Sequence, residues 1–335
     1  MDCNKILSVS SKPIDDFIYR YRTSHILNTA VEKGIFTRLT VPKKAHQLAH
    51  EIHSDPRTTE KLLNVLVAGG LLLKTGDNYQ NTDEAQMFLD ENAQNYIGNL
   101  VRITTGCNSF LARLDEILKN DGCLQRDFCF DRIQVQLLGL AEGALCGETD
   151  RVLNAIKSMP DFANSKKILD LGGGHGVYSM AFAQNNTASE VLMFDQSHVI
   201  EFAKEYTAKY GMADKIKFMS GDLNKDDMGT GYDLVFVSHV FYQRSNLNLV
   251  LGKIYASLNK GGIVVLNHWM VDDCRTSPRI SVIFDLYISL INRDNGCHTV
   301  SEFAGLLRGA GFGNIRIFDI RTPQSPSMIV VGKKK

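Results

Sequence analysis

The chain of 335 residues carries no net charge, since 37 lysines and arginines are matched by 37 aspartates and glutamates. Without an excess of positive charge it has no general attraction to nucleic acid or to an anionic membrane. It contains no apolar run close to the roughly 18 residues that span a bilayer, and residues 1–5 lack the apolar segment of a signal peptide. These absences predict a cytoplasmic protein that neither spans a membrane nor binds nucleic acid.

The seven cysteines include no C-x-x-C pair, and their number is odd. This pattern argues against a disulfide framework and against a zinc site built from thiolates, and it favours a reducing compartment. No H-x-x-x-H pair or cluster of acidic residues accompanies the glycine-rich segment described next, so no metal site is predicted.

What the sequence does contain is a glycine-rich segment after a short apolar run. Residues 168–171 (Ile-Leu-Asp-Leu) precede residues 172–176 (Gly-Gly-Gly-His-Gly), and a helix-like segment follows. This order is typical of a buried parallel strand that turns sharply into a helix N-terminus. Glycines permit the turn and leave space for a ligand, and the free N–H groups of the helix favour a polar or anionic group.

The spacing of these glycines distinguishes between two classes of cofactor. The dinucleotide fingerprint G-x-G-x-x-G needs a third glycine, but Val177 stands there when the count begins at Gly172. The pattern G-G-G-x-G, preceded by an acidic residue, resembles the one typical of methyltransferases that use S-adenosylmethionine (SAM). Asp195, 21 residues after Gly174, ends the next apolar run and is placed to accept hydrogen bonds from ribose hydroxyls. A glycine-rich surface turn without a ligand is the alternative.

Further apolar runs, separated by helical segments, predict the remaining strands of a parallel, doubly wound sheet. These runs are residues 191–194, 216–219, 232–237 and 263–266. Asp222 follows the second of them and suits the adenine amino group, with Leu223 offering an apolar face. Ligands of such sheets bind at the carboxyl ends of the strands, where these side chains are expected.

The residues before the sheet form a different predicted unit, a winged helix. Its elements are helices over residues 14–34, 43–52 and 56–67, and a hairpin over residues 71–82. Such a unit can bind DNA, but its candidate recognition helix carries only Arg57 and Lys61 as cations. Since phosphate contacts dominate DNA affinity, this helix is poorly equipped for that role. The long apolar first helix suits a dimer interface better.

The predicted fold class is α/β, a Rossmann-like doubly wound sheet with an N-terminal α-helical winged-helix dimerisation domain. Residues 314–320 and 327–331 are predicted to form an antiparallel C-terminal hairpin at the edge of this sheet. The domains are predicted as residues 1–95 and 96–335, with residues 96–160 forming a helical roof over the pocket.

The chain resembles the SAM-dependent small-molecule O-methyltransferases of plants and bacteria, which include caffeate and hydroxyindole methyltransferases. The resemblance runs from about residue 14 to the end and is carried by segments in the family's order. These segments are residues 30–36, the wing ending in Tyr79, the glycine turn, residues 221–222, residues 258–262 and residues 310–312. The resemblance implies SAM as cofactor, a small-molecule acceptor and a homodimer formed through the N-terminal domain. The cofactor contacts it implies are Gly172, Gly174, Asp195, Gln196, Asp222, Leu223 and Ser238.

One position departs from the family pattern. Where family members carry a general-base histidine after the fourth strand, this chain has Tyr242. Histidine, with an ordinary pKa of about 6.5, is a good base at neutral pH, whereas tyrosine, at about 10, is a poor one. A bacteriochlorophyll methyltransferase that methylates a ring carbon is similar in having tyrosine at this place.

The predicted function is methyl transfer from SAM to a small aromatic or conjugated acceptor, with a hydroxyl as the expected acceptor group. The candidate catalytic residues are Tyr242, which orients the acceptor or relays a proton, and His239 or His268, which assists. Carbon methylation of a tetrapyrrole or quinone-like ring is an alternative. Two others are a winged-helix DNA-binding regulator with a vestigial cofactor domain and an NAD-dependent oxidoreductase.

Overall fold

The computed structural model describes residues 12–106, 111–119 and 133–335. The chain divides into two compact units between residues 109 and 110. This division falls later than the predicted boundary at residue 95, because helix Gly98–Gly106 packs against helix Lys12–Glu32 within the first unit.

The first unit consists of helices and a small antiparallel sheet. Its helices are Lys12–Glu32, Ile35–Arg38, Ala45–Glu51, Pro56–Ala68, Asp83–Leu89 and Gly98–Gly106. Its strands are β1 (Lys43–Lys44), β2 (Leu72–Thr75) and β3 (Asn78–Asn81), in the order β1-β3-β2. The hairpin formed by β2 and β3 lies where the sequence predicts it.

Two helix starts in this unit show how local chemistry sets the boundaries. The predicted helix over 43–52 begins only at Ala45, because Lys43 and Lys44 pair with β3 as a short strand. The next helix starts at Pro56 as predicted, since the Asp55 carboxylate accepts the backbone N–H of Thr58 at 2.8 Å. An N-cap of this kind stabilises a helix by about 1 kcal/mol.

The second unit contains a seven-stranded sheet with helices on its faces. The strands are β4 (Lys167–Leu171), β5 (Glu190–Asp195), β6 (Ile216–Ser220), β7 (Tyr232–Ser238), β8 (Leu258–Trp269), β9 (Gly313–Asp319) and β10 (Ser327–Lys333). The principal helices are Leu114–Lys119, Ile133–Gly143, Thr149–Ile156, Pro160–Ala163, Val177–Asn185, Ser197–Lys209, Leu247–Ser257, Arg279–Ile291 and Val300–Gly309.

The strand order is β6-β5-β4-β7-β8-β10-β9. Strands β4 to β8 pair in parallel, and β10 runs antiparallel to both β8 and β9. The order reverses between β4 and β7, which is the switch point where doubly wound sheets bind their ligands. The predicted α/β sheet with its antiparallel C-terminal hairpin is confirmed.

The two faces of the sheet are both buried, as expected for parallel strands covered by helices. Along β4, Ile168 joins one apolar cluster, while Leu169 and Leu171 join the cluster on the opposite face. Residues Leu234 and Val235 of β7 alternate in the same way. This packing holds the carboxyl ends of β4 and β7 side by side.

Strand β8 is longer than predicted. The sequence indicates residues 263–266, but the observed strand runs from Leu258 to Trp269. His268, expected just after the strand, therefore lies within it. Separately, none of the helices in the described parts of the chain is both long and apolar enough to cross a membrane.

Candidate active site

The glycine turn after β4 forms one wall of the site. Gly172 has a φ of +71° and donates its N–H to the carbonyl of Phe194 at 2.8 Å. A Cβ added at Gly174 would meet nothing nearer than the Gly172 carbonyl oxygen at 4.0 Å. Gly174 thus faces open space, and the turn forms a cradle whose geometry fits a ligand group lying against the backbone.

Asp195, at the carboxyl end of β5, closes this cradle. Its carboxylate accepts the N–H of Gly174 at 2.9 Å and the N–H of Gln196 at 2.7 Å. Burial raises the pKa of Asp195, and the two N–H donors work in the opposite direction. The structure therefore brings together Gly172, Gly174, Asp195 and Gln196, as the sequence predicts for the ribose end of a nucleoside.

Asp222 and Leu223 follow β6, next to Asp195. The N–H of Gly221 donates to the Asp195 carbonyl at 2.9 Å, which fixes this turn beside the cradle. The Asp222 carboxylate makes local contacts, accepting the N–H of Asn224 at 2.9 Å. Leu223 packs on the apolar cluster against β7. A carboxylate and an apolar face are thus side by side at this strand end.

Ser238 ends β7 and lies close to β8. Its hydroxyl accepts a hydrogen bond from the Asn267 amide at 3.0 Å. Because β4 and β7 are adjacent in the sheet, Ser238 and the glycine turn share the same carboxyl edge. All seven predicted cofactor residues therefore lie at that edge, either as the last residue of a strand or in the loop that follows one.

The chain after Ser238 makes a tight bend that brings His239 to Tyr242. His239 has a φ of +56°, a backbone conformation that costs about 1–2 kcal/mol for a residue with a Cβ. The His239 Nδ1 and the Tyr242 hydroxyl are 2.8 Å apart. Since strain of this kind is kept only where the surroundings enforce it, the bend is a built feature of the site.

Tyr242 is partly buried among aromatic rings. Its ring lies edge-on to His268 and to Phe284. Burial raises the pKa of Tyr242 well above its ordinary value, with Cys297 and Glu148 adding to the effect, while the backbone N–H of Trp269 opposes it. Tyr242 thus holds its proton at neutral pH and needs a partner to act as a base.

His268 occupies a different environment from the one predicted for a catalytic residue. Its side chain is fully buried, and its Nε2 accepts the backbone N–H groups of Val240 and Phe241 at 3.2 and 2.9 Å. Burial lowers the pKa of His268 well below 6.5, so the ring is neutral. The Nε2 lone pair of His268 accepts these two backbone N–H groups and so stabilises the bend between β7 and Tyr242.

Sequence reasoning missed Glu148, which precedes helix Thr149–Ile156. Its Oε1 lies 2.8 Å from the His239 Nε2 and also accepts the Tyr178 hydroxyl at 3.0 Å and the Asn267 amide at 2.9 Å. The available signal was a single acidic residue after a glycine in an apolar helical stretch. That signal is too weak to identify a site residue, since the contact with His239 spans 91 positions of sequence.

Among the described ranges 12–106, 111–119 and 133–335, no group of three or more histidine, cysteine, aspartate or glutamate side chains is arranged to hold a metal ion. Metal independence stays a prediction from the sequence. The groups that the site does offer are a glycine cradle with a carboxylate and a hydroxyl–imidazole–carboxylate chain.

Comparison with known proteins identifies the family that uses such a site. Residues 140–313, more than half of the chain, match the model of the O-methyltransferase domain, and residues 16–91 match the O-methyltransferase dimerisation domain. The tetracenomycin polyketide synthesis 8-O-methyl transferase of Streptomyces glaucescens is 25% identical over 323 residues, covering 93% of each chain.

Two further proteins are similar along nearly their whole length. The 3-hydroxy-5-methyl-1-naphthoate 3-O-methyltransferase of Streptomyces sahachiroi is 24% identical, covering 90% of each chain. The solved structure of an O-methyltransferase family protein from Burkholderia thailandensis has a TM-score of 0.84 at 21% identity, covering 98% of this chain and 99% of that one. The glycine cradle, the switch-point site and both matched domains show that the chain belongs to the O-methyltransferase family of SAM-dependent methyltransferases.

Proposed function

We propose that this protein transfers the methyl group of SAM to a hydroxyl of a small aromatic acceptor. The observation that carries the proposal is the 2.8 Å hydrogen bond between the Tyr242 hydroxyl and the His239 Nδ1, beside the glycine turn. Methylation of a hydroxyl releases a proton, and this pair gives that proton a destination. An electron-rich ring carbon needs less help from a base before attack, so the pair favours oxygen as the acceptor atom.

The names of two relatives support the acceptor class. One is an 8-O-methyl transferase of a polyketide pathway, and another methylates the 3-hydroxyl of a naphthoate. The ring partners of Tyr242 in this chain agree with an aromatic acceptor, because Phe284 packs edge-on against both Tyr242 and Trp269. Aromatic rings favour such edge-to-face contacts with one another.

The roles of the site residues follow from their chemistry. When bound, SAM supplies a methyl group already activated by its sulfonium. We assign Gly172 and Gly174 to the cradle, Asp195 and Gln196 to the ribose, and Asp222, Leu223 and Ser238 to the rest of the nucleoside. Tyr242 orients the acceptor hydroxyl, and His268 keeps the bend in place.

The N-terminal unit is proposed to have a winged-helix-like arrangement that serves a homodimer. Its match to the dimerisation domain supports this role. Exposed apolar side chains on the first helix, Ile14 and Tyr19, supply the surface that such an interface buries. The cytoplasmic location stays a prediction from the odd number of cysteines and the lack of a C-x-x-C pair in the sequence.

The proposed activity is tested with SAM labelled in its methyl group and phenols of increasing ring number, for example phenol and 2-naphthol. The expected result is label transfer to a phenol, with no transfer to the matched methyl ether, 2-methoxynaphthalene. Equal labelling of the ether, or label on a ring carbon, would contradict the proposal.

The buried carboxyl beneath the cradle predicts a pH-dependent affinity for SAM. Burial raises the pKa of Asp170 to about 7, even though the Ser179 hydroxyl donates to it and opposes that shift, and nearby Asp195 adds to it. A cation bound above it favours the carboxylate, so binding releases a proton and affinity should rise with pH. We expect a roughly threefold to tenfold gain between about pH 6 and pH 8.

Calorimetric titration in two buffers of different ionisation enthalpy measures this proton release. Asp170→Asn should remove most of the slope, because its side chain cannot ionise. An affinity that falls with rising pH in the unaltered protein would show that Asp170 does not respond to the cofactor charge.

A further inference from the structure

We propose that Glu148 is a positioning residue that fixes the tautomer of His239, so that His239 can take the acceptor's proton through Tyr242. The inference deepens the proposed function and rests on transfer of the methyl group to a hydroxyl. Glu148, His239 and Tyr242 all belong to the second unit. They form a continuous chain of two hydrogen bonds, each 2.8 Å long.

Glu148 is surrounded by four side chains that can donate hydrogen bonds to it. Its carboxylate is buried and accepts from Tyr178, His239 and Asn267 at Oε1, and from the Ser325 hydroxyl at Oε2, 2.8 Å away. Each of these groups can donate a hydrogen atom. Because all four groups can donate to it, the site suits an ionised carboxylate, which accepts and cannot donate.

A negative charge on Glu148 agrees with these four hydrogen bonds to its carboxylate. Burial alone would raise its pKa, but the His239 imidazole and the hydrogen bonds from Asn267 and Ser325 outweigh burial and hold the pKa well below its usual range. Among its hydrogen-bond partners in the described chain, His239 is the one that can carry a positive charge. A buried carboxylate is costly unless hydrogen bonds or an opposite charge compensate it, and the four hydrogen bonds to Glu148 supply that compensation while the His239 ring is neutral.

The pair dictates which nitrogen of His239 carries the proton. An ionised Glu148 accepts from Nε2, so the proton of the neutral ring must lie on Nε2. The lone pair of Nδ1 then faces the Tyr242 hydroxyl and accepts its proton. The same logic orients the histidine of a Ser-His-Asp triad, with a phenol here in place of the serine.

The neighbouring histidines cannot replace His239 in this role. Burial lowers the pKa of His175 to about 4, and its Nδ1 accepts the N–H of Val177. His268 is neutral as well, and its Nε2 holds two backbone N–H groups. His239 is thus the ring that has both a carboxylate on one nitrogen and a hydroxyl on the other.

The proposed step moves two protons and one methyl group. The acceptor hydroxyl gives its proton to the Tyr242 oxygen while Tyr242 gives its own proton to the His239 Nδ1. The acceptor oxygen forms a bond to the methyl carbon, the carbon–sulfur bond of the sulfonium breaks, and its electron pair stays on sulfur. S-adenosylhomocysteine leaves, and the Glu148 carboxylate stabilises the imidazolium until the proton passes to water.

The backbone before Glu148 is built to place this carboxylate. The helical stretch ending at Glu148 breaks at Cys146 and Gly147, and Gly147 has a φ of +93°. Residues with a Cβ are strongly disfavoured there. The Thr149 hydroxyl donates to the Ala144 carbonyl at 2.9 Å. This hydrogen bond joins the residues before and after the break and stabilises the kink.

The test measures the tautomer directly and does not depend on the identity of the acceptor. Nitrogen-15 NMR of histidine-labelled protein, with His239→Asn used to assign the signal, should show the neutral ring protonated on Nε2. Glu148→Gln should shift the population toward the Nδ1-protonated ring, because its amide NH₂ can face Nε2. Finding the Nδ1-protonated ring in the unaltered protein would overturn the proposal, whatever the Glu148→Gln variant shows.

The kinetic arm uses 2-naphthol as the phenolic probe. Glu148→Gln should lower kcat roughly 10²- to 10⁴-fold, the range for loss of general-base function, and should move the acidic limb of the pH–rate profile. The KM for SAM should change less than about threefold. Ser325→Ala, which removes the hydrogen bond to Oε2 and a longer 3.5 Å contact with the Ser327 hydroxyl but leaves Oε1 untouched, is the matched control and should keep the Nε2-protonated ring.

The two proposals fail in different ways. If no phenol is methylated but His239 shows the tautomer change with Glu148→Gln, the proposed function is wrong and the role of Glu148 in orienting His239 stands. If phenols are methylated and Glu148→Gln leaves both the pH profile and kcat unchanged, the role of Glu148 is wrong and the activity stands.

Discussion

Tyr242→Phe should lower kcat roughly 10²- to 10⁴-fold while leaving the affinity for SAM within about twofold. The phenyl ring keeps its edge-on contacts with His268 and Phe284, so the packing of the bend is retained. What is lost is the hydroxyl that lies 2.8 Å from the His239 Nδ1. The acceptor proton then has no path to the imidazole. Initial rates with 2-naphthol, together with calorimetric binding of S-adenosylhomocysteine, measure the two effects.

Tyr255→Phe is the matched control, because this tyrosine packs on Phe312 away from the site. It should leave both the rate and the binding unchanged. A large loss of cofactor affinity in Tyr242→Phe, with an unchanged rate at saturating SAM, would refute the assignment of Tyr242 to the acceptor.

Gly172→Ala should damage both cofactor binding and turnover. A Cβ at this position would lie 2.4 Å from a methyl carbon of Val240, and the φ of +71° is strained for alanine. The strain and the clash together cost about 2–4 kcal/mol. If the glycine turn distorts to relieve them, this cost corresponds to a loss of roughly 30- to 1,000-fold in the affinity for SAM. Because Val240 lies between His239 and Tyr242, the clash also displaces the proton path.

Gly252→Ala provides the control, since an added Cβ there meets nothing within 4 Å. It should leave SAM binding unchanged. The double variant Gly172→Ala, Val240→Ala should recover part of the lost affinity, because it removes the clash and leaves the backbone strain. No difference between the single and double variants would show that Val240 does not link the glycine turn to the bend.

Most of the fold could be predicted from the sequence, for reasons visible in particular residues. The parallel strands are short apolar runs that mostly end in acidic or polar residues, and the glycine turn after Leu171 indicates which strand of this sheet comes first along the chain. Asp55 and Pro56 marked a helix start that the structure reproduces. Lys43 and Lys44 were misassigned because their pairing with Tyr79 and Asn78 is non-local, and helix propensity alone contains no information about it.

The residues proposed to bind the cofactor could be predicted from the sequence more completely than those proposed to act on the acceptor. Asp195 and Gly174 lie at fixed spacings from a recognisable turn, so pattern reasoning brings them together. Glu148, by contrast, meets His239 only after the sheet has assembled, and Ser325 reaches it from 177 positions away. His268 was expected beyond its strand, and its burial follows from the antiparallel pairing with Met328, which extends β8.

The presence of tyrosine at position 242, where the family resemblance implies a general-base histidine, fits the surroundings of this residue. A buried phenol is a poor base by itself, since burial raises its pKa. The strained His239 brings an imidazole to the phenol, and Glu148 supplies the opposing charge. In the proposed mechanism His239 is therefore the base, and Tyr242 links it to the acceptor.

The most direct test of this account is the identity of the atom that receives the methyl group. Purified protein is incubated with SAM carrying a carbon-13 methyl group and a small-molecule extract of its native cells, and the labelled product is examined by NMR. A methoxy signal attached to an aromatic ring is the predicted result. A methyl signal on a ring carbon would contradict oxygen as the acceptor and, with it, the need for a proton path through Tyr242.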